Sequence, residues 1–196
     1  MQGPSIIIEM ENARQVSWDD VRETIDALAR EVASYCTANP GRKPEIIFVQ
    51  SGEQADTALL EKSVEEAGAL DGAADLVFVS VPDGRYYEVK AEGLRLSHGD
   101  PIIFLDSDVR PENGWLRTLV EPFSNPATIA VNGHTFLECN DFMSRTYALM
   151  WMFPLRDGDD RFATKRALNF NNCAFRRDWI VATGIPIDNG FKVSCT

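Results

Sequence analysis

The 196-residue sequence has no run of lysines and arginines, and its 30 acidic against 19 basic side chains give a formal net charge of -11. Such a balance repels nucleic-acid backbones and anionic membrane surfaces, so neither is an expected partner. Cysteine is sparse. Cys36, Cys139, Cys173 and Cys195 stand far apart, with no C-x-x-C pair and no Cys/His cluster. That spacing argues against a zinc site and reads most simply as reduced thiols in a cytoplasmic protein. No apolar run reaches the roughly eighteen residues that a membrane-spanning helix needs, so no span is expected. The opening "MQGPSIIIEMENARQ" lacks the basic and long apolar regions of a signal peptide. Internal repeats and low-complexity tracts are missing too.

What is present has ordinary globular proportions, 44% hydrophobic and 25% charged, with enough length for one sizeable core. Short β-branched runs, "SIIIEM", "EIIFVQ", "DLVFVSV" and "PIIFL", read as strands, the first two and the last of the buried type. Helical patterns separate them. "SWDDVRETIDALAREVASYC" opens with Ser17 and Asp20 at capping-box spacing and places Trp18, Val21, Ile25, Leu28, Val32 and Tyr35 on one face. "ADTALLEKSVEEAG" and "RYYEVKAEGLRLS" are the next two helices, the latter with Gly93 as its weak point. Strands alternating with helices at this spacing predict an α/β fold, a mainly parallel sheet with helices on both faces.

Further on, "TIAVNGHTFLE" reads as another strand and "NNCAFRRDWIVATG" as a short strand and helix. "FMSRTYALMWMF" is apolar nearly all round and reads as a core helix or a buried partner face, ahead of a membrane-surface helix. "RDGDD" lacks the alternating acids of a calcium loop and reads as a solvated loop. The sequence ends at "DNGFKVSCT" with no winding-down signal, which carries the expectation of a longer natural chain.

The chemistry concentrates in "IIFLDSDVRPENGW", where a buried strand runs straight into Asp106 and Asp108 with Ser107 between them. In open parallel sheets, ligands bind beyond the carboxyl ends of the strands. Two carboxylates leaving such a strand can reach one ligand, and their hard oxygens suit Mg2+ or Mn2+. The alternative is that either acid caps the next helix or closes an Asx-turn. The strand before the pair and the helix pattern after it favour the ligand reading.

The order of these features resembles a family 2 glycosyltransferase, an inverting class of enzyme with the GT-A fold, over nearly the whole chain. The strongest stretch is "YYEVKAEGLRLSHGDPIIFLDSDVRPENGWLRTLVEPF", with a basic residue, a glycine, a second glycine before a strand, then the D-x-D and a helix. "SIIIEMEN" resembles the family's first strand and donor-binding turn, and "NFNNCAFRRDWIVATGIP" its acceptor-side segment. The resemblance implies one GT-A domain over 1–196, with a nucleotide-donor half in 1–110 and an acceptor-side half in 111–196. It makes Asp108 the principal ligand of a Mn2+ or Mg2+ ion. Asp106 would contact the donor sugar or ribose with a share in the metal. Lys90 falls near the donor diphosphate, and Met10, Glu11 and Asn12 fall at the turn that holds the base. Ser51 and Ser107 complete the donor-side set. The implied partners are a nucleoside diphosphate sugar, a UDP-sugar ahead of a GDP-sugar, and a hydroxyl acceptor such as a saccharide.

Two departures stand out. Where the family has an Asp-rich turn after the second strand, this chain has Gln50, Ser51, Gly52 and Glu53. The Glu-Asp pair that supplies the family's catalytic base has no match before Thr196, and Asp188 is the lone candidate. A donor-binding module that has lost catalysis is therefore an alternative. A sugar nucleotidyltransferase is another, although that class carries a glycine-rich loop after its first strand and "IIIEMENARQ" has none. Among the remaining polar residues, Glu9 reads as an exposed strand-end acid or a donor contact. His134 reads as structural ahead of functional, and Arg176 and Arg177 as anion-binding or locally paired.

Overall fold

The computed structural model describes residues 2–10, 18–137, 141–150, 168 and 170–185. Its regular elements are β1 (Ser5–Glu9), α1 (Trp18–Ala38), β2 (Glu45–Ser51), α2 (Gln54–Ala67), β3 (Asp75–Val81), α3 (Tyr86–Leu96) and β4 (Ile102–Asp106). They continue with α4 (Trp115–Val120), a 3-10 turn (Glu121–Ser124), β5 (Ala130–Asn132), α5 (Phe142–Met150), β6 (Asn172–Phe175) and α6 (Arg177–Thr183). One six-stranded sheet has the order β3-β2-β1-β4-β6-β5. The four strands of the first half are parallel, each joined to the next through a crossover helix. β6 pairs antiparallel with β4, and β5 antiparallel with β6.

Alternation along the strands divides the core in two, since successive side chains point to opposite faces. Ile6, Ile8, Ile46, Phe48, Ile103 and Leu105 pack under α1, α2 and α4 with Val21, Leu28, Val64 and Leu116. Ile7, Ile47, Val49 and Phe104 pack under α3 and α6 with Val89, Leu94 and Ile180. Each such side chain, fully withdrawn from water, contributes about 1.5–3 kcal/mol.

Gly93 explains how close α3 comes to the sheet. A Cβ there would meet Ile7 Cγ2 at 2.5 Å and Val49 Cγ1 at 3.1 Å. The residue that weakens the helix by propensity is the one that lets it seat.

Three expectations need correction. The strand expected across "TIAVNGHTFLE" is only Ala130–Asn132. Gly133 sits against the Asn172 side chain, where a Cβ would collide, and residues 133–137 form no regular element. The helix at "FMSRTYALM" forms, but Phe142, Met143, Tyr147, Leu149 and Met150 are exposed and only Ala148 is buried, so it is no core helix among the described residues. Glu9 is fully buried and not an exposed strand end. Glu11, Asn12, Ser17, Asp188, Cys139, Cys195 and "RDGDD" lie outside the described residues.

Candidate active site

β1 and β4 are parallel neighbours of equal length, in a register that sets Glu9 opposite Asp106. Both acids therefore finish their strands side by side, facing α3. Arg85 precedes that helix, its backbone N–H donating to Glu88 Oε2 at 2.8 Å, and the helix places Tyr86 and Lys90 one turn apart on the face toward the strand ends. Lys90 is fully buried. Its ammonium donates to Asp106 Oδ1 at 2.5 Å and to the Phe170 carbonyl at 3.2 Å, and lies 4.5 Å from the centre of the Tyr86 ring.

The Tyr86 hydroxyl donates to both Asp106 oxygens, at 3.1 and 3.0 Å. Burial, followed by the negative charge of Asp106, pushes its pKa well above the ordinary tyrosine value, so it stays protonated as a donor. Asp106 thus sits in a socket of one ammonium and one phenol, with its own N–H donating to the Asn171 carbonyl at 3.0 Å.

The chain then leaves the sheet. Ser107 N–H donates to the Glu9 carbonyl and Val109 N–H to the Asp106 carbonyl, each at 3.0 Å, which turns the backbone immediately after the strand. Ser107 is buried and Asp108 is exposed. The two acids of the motif consequently differ in kind, one fixed in the protein and one presented to solvent at the carboxyl end of the sheet.

The other anticipated donor residues separate. Ser51 ends β2 at the same end of the sheet and is partly exposed. Met10 directs its backbone N–H to the Val49 carbonyl at 2.9 Å, but its side chain is buried beneath α1, lining a small cavity with Ile8, Phe48, Ile25 and Ser107. Lys90 meets Asp106 directly. Arg176 is structural: its guanidinium donates to the carbonyls of Thr128, Phe123 and Asn125 and stacks over the Phe123 ring. Arg177 reaches Ser97 Oγ at 3.0 Å. Asp100 lies beside both, 3.9 Å from the Arg176 guanidinium and accepting the Arg177 backbone N–H at 2.8 Å, the local pairing that is one of the two expectations.

Tyr86 is the site residue that the sequence reading does not single out, and Glu9 is placed beside Asp106. Tyr86 precedes Lys90 by four positions, the spacing that puts two side chains on one helix face. Glu9 and Asp106 end strands of the same length, and equal length in a parallel pair hints at a shared register.

A divalent cation fits the donor set only in part. Asp108 offers a hard, exposed carboxylate, and the Oγ of Ser107 and Oδ1 of Asn171 are buried oxygens with no hydrogen-bond partner among the described residues. Among the described residues no three His, Cys, Asp or Glu side chains gather as a ready-made metal cage. Mg2+ sites commonly take most of their ligands from phosphate oxygens and water.

The family model described as Glycosyl transferase family 2 matches residues 5–182. The chain belongs to that family. Solved structures agree on the fold. The mannosyltransferase PcManGT from Pyrobaculum calidifontis, in complex with GDP-Man and Mn2+, superposes with a TM-score of 0.60 at 18% identity, over 95% of this chain and 48% of that one. S. aureus TarS 1-349 in complex with UDP-GlcNAc gives 0.58 at 12% identity, over 92% and 47%. Glucosyl-3-phosphoglycerate synthase from Mycobacterium tuberculosis, with Mn2+, UDP and phosphoglyceric acid, gives 0.51 at 19%, over 91% and 57%. The chain spans about half the length of these structures. No curated protein matches it. Its fold is the GT-A fold of family 2, a mostly parallel sheet flanked by helices. No described helix is long and apolar enough to cross a membrane.

Proposed function

We propose that this family 2 chain binds a nucleoside diphosphate sugar, a UDP-sugar ahead of a GDP-sugar, and transfers the sugar to an acceptor hydroxyl with inversion. The observation that carries the reading is the division of labour in the motif. Asp106 is held in the Lys90–Tyr86 socket, while Asp108, two residues on, is exposed where β4 stops. Solved structures of the same fold include complexes with GDP-Man and with UDP-GlcNAc, which supports a nucleotide sugar as the donor class.

In this reading Asp108 is the main protein ligand of a Mn2+ or Mg2+ ion, and Asp106 shares in it or orients the donor. A bound divalent cation supplies electrostatic stabilisation for the negative charge that builds on the departing diphosphate. The Lys90 charge, spent on Asp106, acts on the donor through that carboxylate. Ser51 and Ser107 would serve the donor side, Met10 only through its backbone because its side chain is buried beneath α1, and the resemblance adds Glu11 and Asn12, which lie outside the described residues. The acceptor hydroxyl must lose a proton as it attacks from the opposite face, and Asp188 is the candidate base.

Calorimetric titration of the chain with UDP and GDP, each with Mn2+ and with EDTA, tests the donor reading. Binding that needs the cation and is tighter for UDP is expected. Equal affinity in all four titrations would remove the metal-assisted site. Release of nucleoside diphosphate from UDP-sugars, compared between the chain and Asp188→Ala, tests the base.

A further inference from the structure

Asp108 is exposed, so burial does not fix its position. The loop that carries it is anchored within by Val109, which packs against the core, and by the buried Pro111, and it is held at both ends. One end is secure, because Ser107 N–H is bonded to the Glu9 carbonyl and Asp106 is socketed. The other end is Gly114, the residue that precedes α4, in the left-handed conformation at φ 85°. A glycine has no side chain with which to cap the helix it opens, and a helix start leaves backbone N–H groups without partners.

The missing acceptor comes from a different element. Glu31, on α1, is only 5% exposed, and its two carboxylate oxygens divide between two donors: Oε1 accepts the Gly114 N–H at 2.9 Å and Oε2 the Leu116 N–H at 3.0 Å. Charge-assisted bonds of this type are about twice as strong as neutral ones, and the carboxylate also meets the positive end of the helix. A second link between α1 and the loop, Glu23 to Arg110 at 2.5 Å, is solvent-exposed and contributes little by comparison.

We infer that Glu31 is a positioning residue for the metal-binding loop: by clamping Gly114 and Leu116 to α1 it sets where residues 107–113 present Asp108. This rests on the proposed donor site. It assigns α1 a function besides covering the sheet, because α1 then holds the loop that follows β4.

The test uses the 196-residue chain and three variants, below their unfolding temperatures. Glu31→Ala removes both acceptors and should weaken Mn2+-dependent UDP binding by about 10-fold, the low end of what outer partners of metal ligands are worth, whereas Glu31→Gln, whose single amide oxygen can accept only one of the two N–H groups while its NH2 opposes the other, should fall between Glu31→Ala and the wild type. Glu31→Ala that is folded and less stable but binds Mn2+ and UDP as the wild type does would overturn the inference. Should that variant fail to fold, Glu31→Asp replaces it: the carboxylate is one methylene shorter and moves the contact, and unchanged binding would overturn the inference equally. Amide hydrogen exchange separates this inference from the donor reading. If the wild type shows no Mn2+-dependent binding, the donor reading fails, and exchange decides on the clamp alone. Faster exchange in Glu31→Ala that spreads from Gly114 and Leu116 to Val109 supports it. Acceleration confined to Gly114 and Leu116 refutes it.

Discussion

The Lys90 ammonium lies 2.5 Å from the Asp106 carboxylate, and both side chains are almost wholly withdrawn from solvent. Burying either charge alone is costly, so each makes the other tolerable. The pair joins the middle of α3 to the end of β4 and fixes the direction in which the chain leaves the sheet.

Removing one partner leaves an uncompensated buried charge. Lys90→Met should therefore cost about 3–5 kcal/mol of unfolding free energy, read as a lower denaturant midpoint with an unchanged slope. The double variant Lys90→Met with Asp106→Asn should cost less than the two single losses added together. Simple additivity would mean that the two groups do not depend on each other.

The two acids of the motif should respond differently to neutralisation. Asp108→Asn leaves an exposed side chain of nearly the same shape, so stability should stay within about 0.5 kcal/mol while Mn2+-dependent UDP binding is lost. Asp106→Asn should lower stability, because Lys90 loses its counter-charge, and should weaken binding less. Thermal denaturation beside calorimetry separates the two quantities. Retention of full Mn2+-dependent binding by both variants would make the pair structural.

Much of this architecture is legible in the residues. β-branched runs and helical periodicity give β1 to β4 and α1 to α4, and a strand running into Asp106 and Asp108 marks the ligand end of the sheet. What periodicity does not carry is the contact between distant elements. Glu31 has a helix-interior position that says nothing of Gly114, which lies 83 residues away along the chain. Lys90 was legible as a site residue, but its burial against Asp106 depends on how closely α3 seats, and that depends on Gly93. The apolar helix at Phe142–Met150 does not join the core among the described residues, because composition records hydrophobicity and not what a surface meets.

Acid should weaken the fold through Glu45. Burial alone raises its pKa, but hydrogen bonds from Ser5 Oγ at 2.6 Å and from His98 outweigh that and hold it below the ordinary glutamate value. A carboxylate with a lowered folded-state pKa contributes stability above its unfolded value of about 4.3 and loses it as pH falls through the folded value. Wild-type stability should therefore fall more steeply with acid below about pH 4.3 than that of Glu45→Gln, whose side chain does not titrate. Parallel curves of unfolding free energy against pH would remove Glu45 from the account.

Gly93 and Gly99 provide a final test, because each is crowded for a different reason. An alanine at 93 gains about 1 kcal/mol in helix propensity, but its methyl meets the fully buried Ile7, and overpacking costs about 1–3 kcal/mol. The net loss should be modest, about 0–2 kcal/mol, obtained by α3 lifting slightly from the sheet. That movement displaces Lys90 and Tyr86 from Asp106, so Gly93→Ala should weaken Mn2+-dependent UDP binding despite its small effect on stability. Gly99 lies at the opposite end of β4, where a Cβ would strike backbone atoms of Gly3, Pro4 and Ser5, which cannot rotate aside. Gly99→Ala should lose more stability, about 3 kcal/mol or more, and bind normally in its folded fraction. Comparing calorimetric affinity with denaturant midpoint for the two variants decides the matter. If Gly93→Ala binds as the wild type does, the seating of α3 does not control the socket around Asp106.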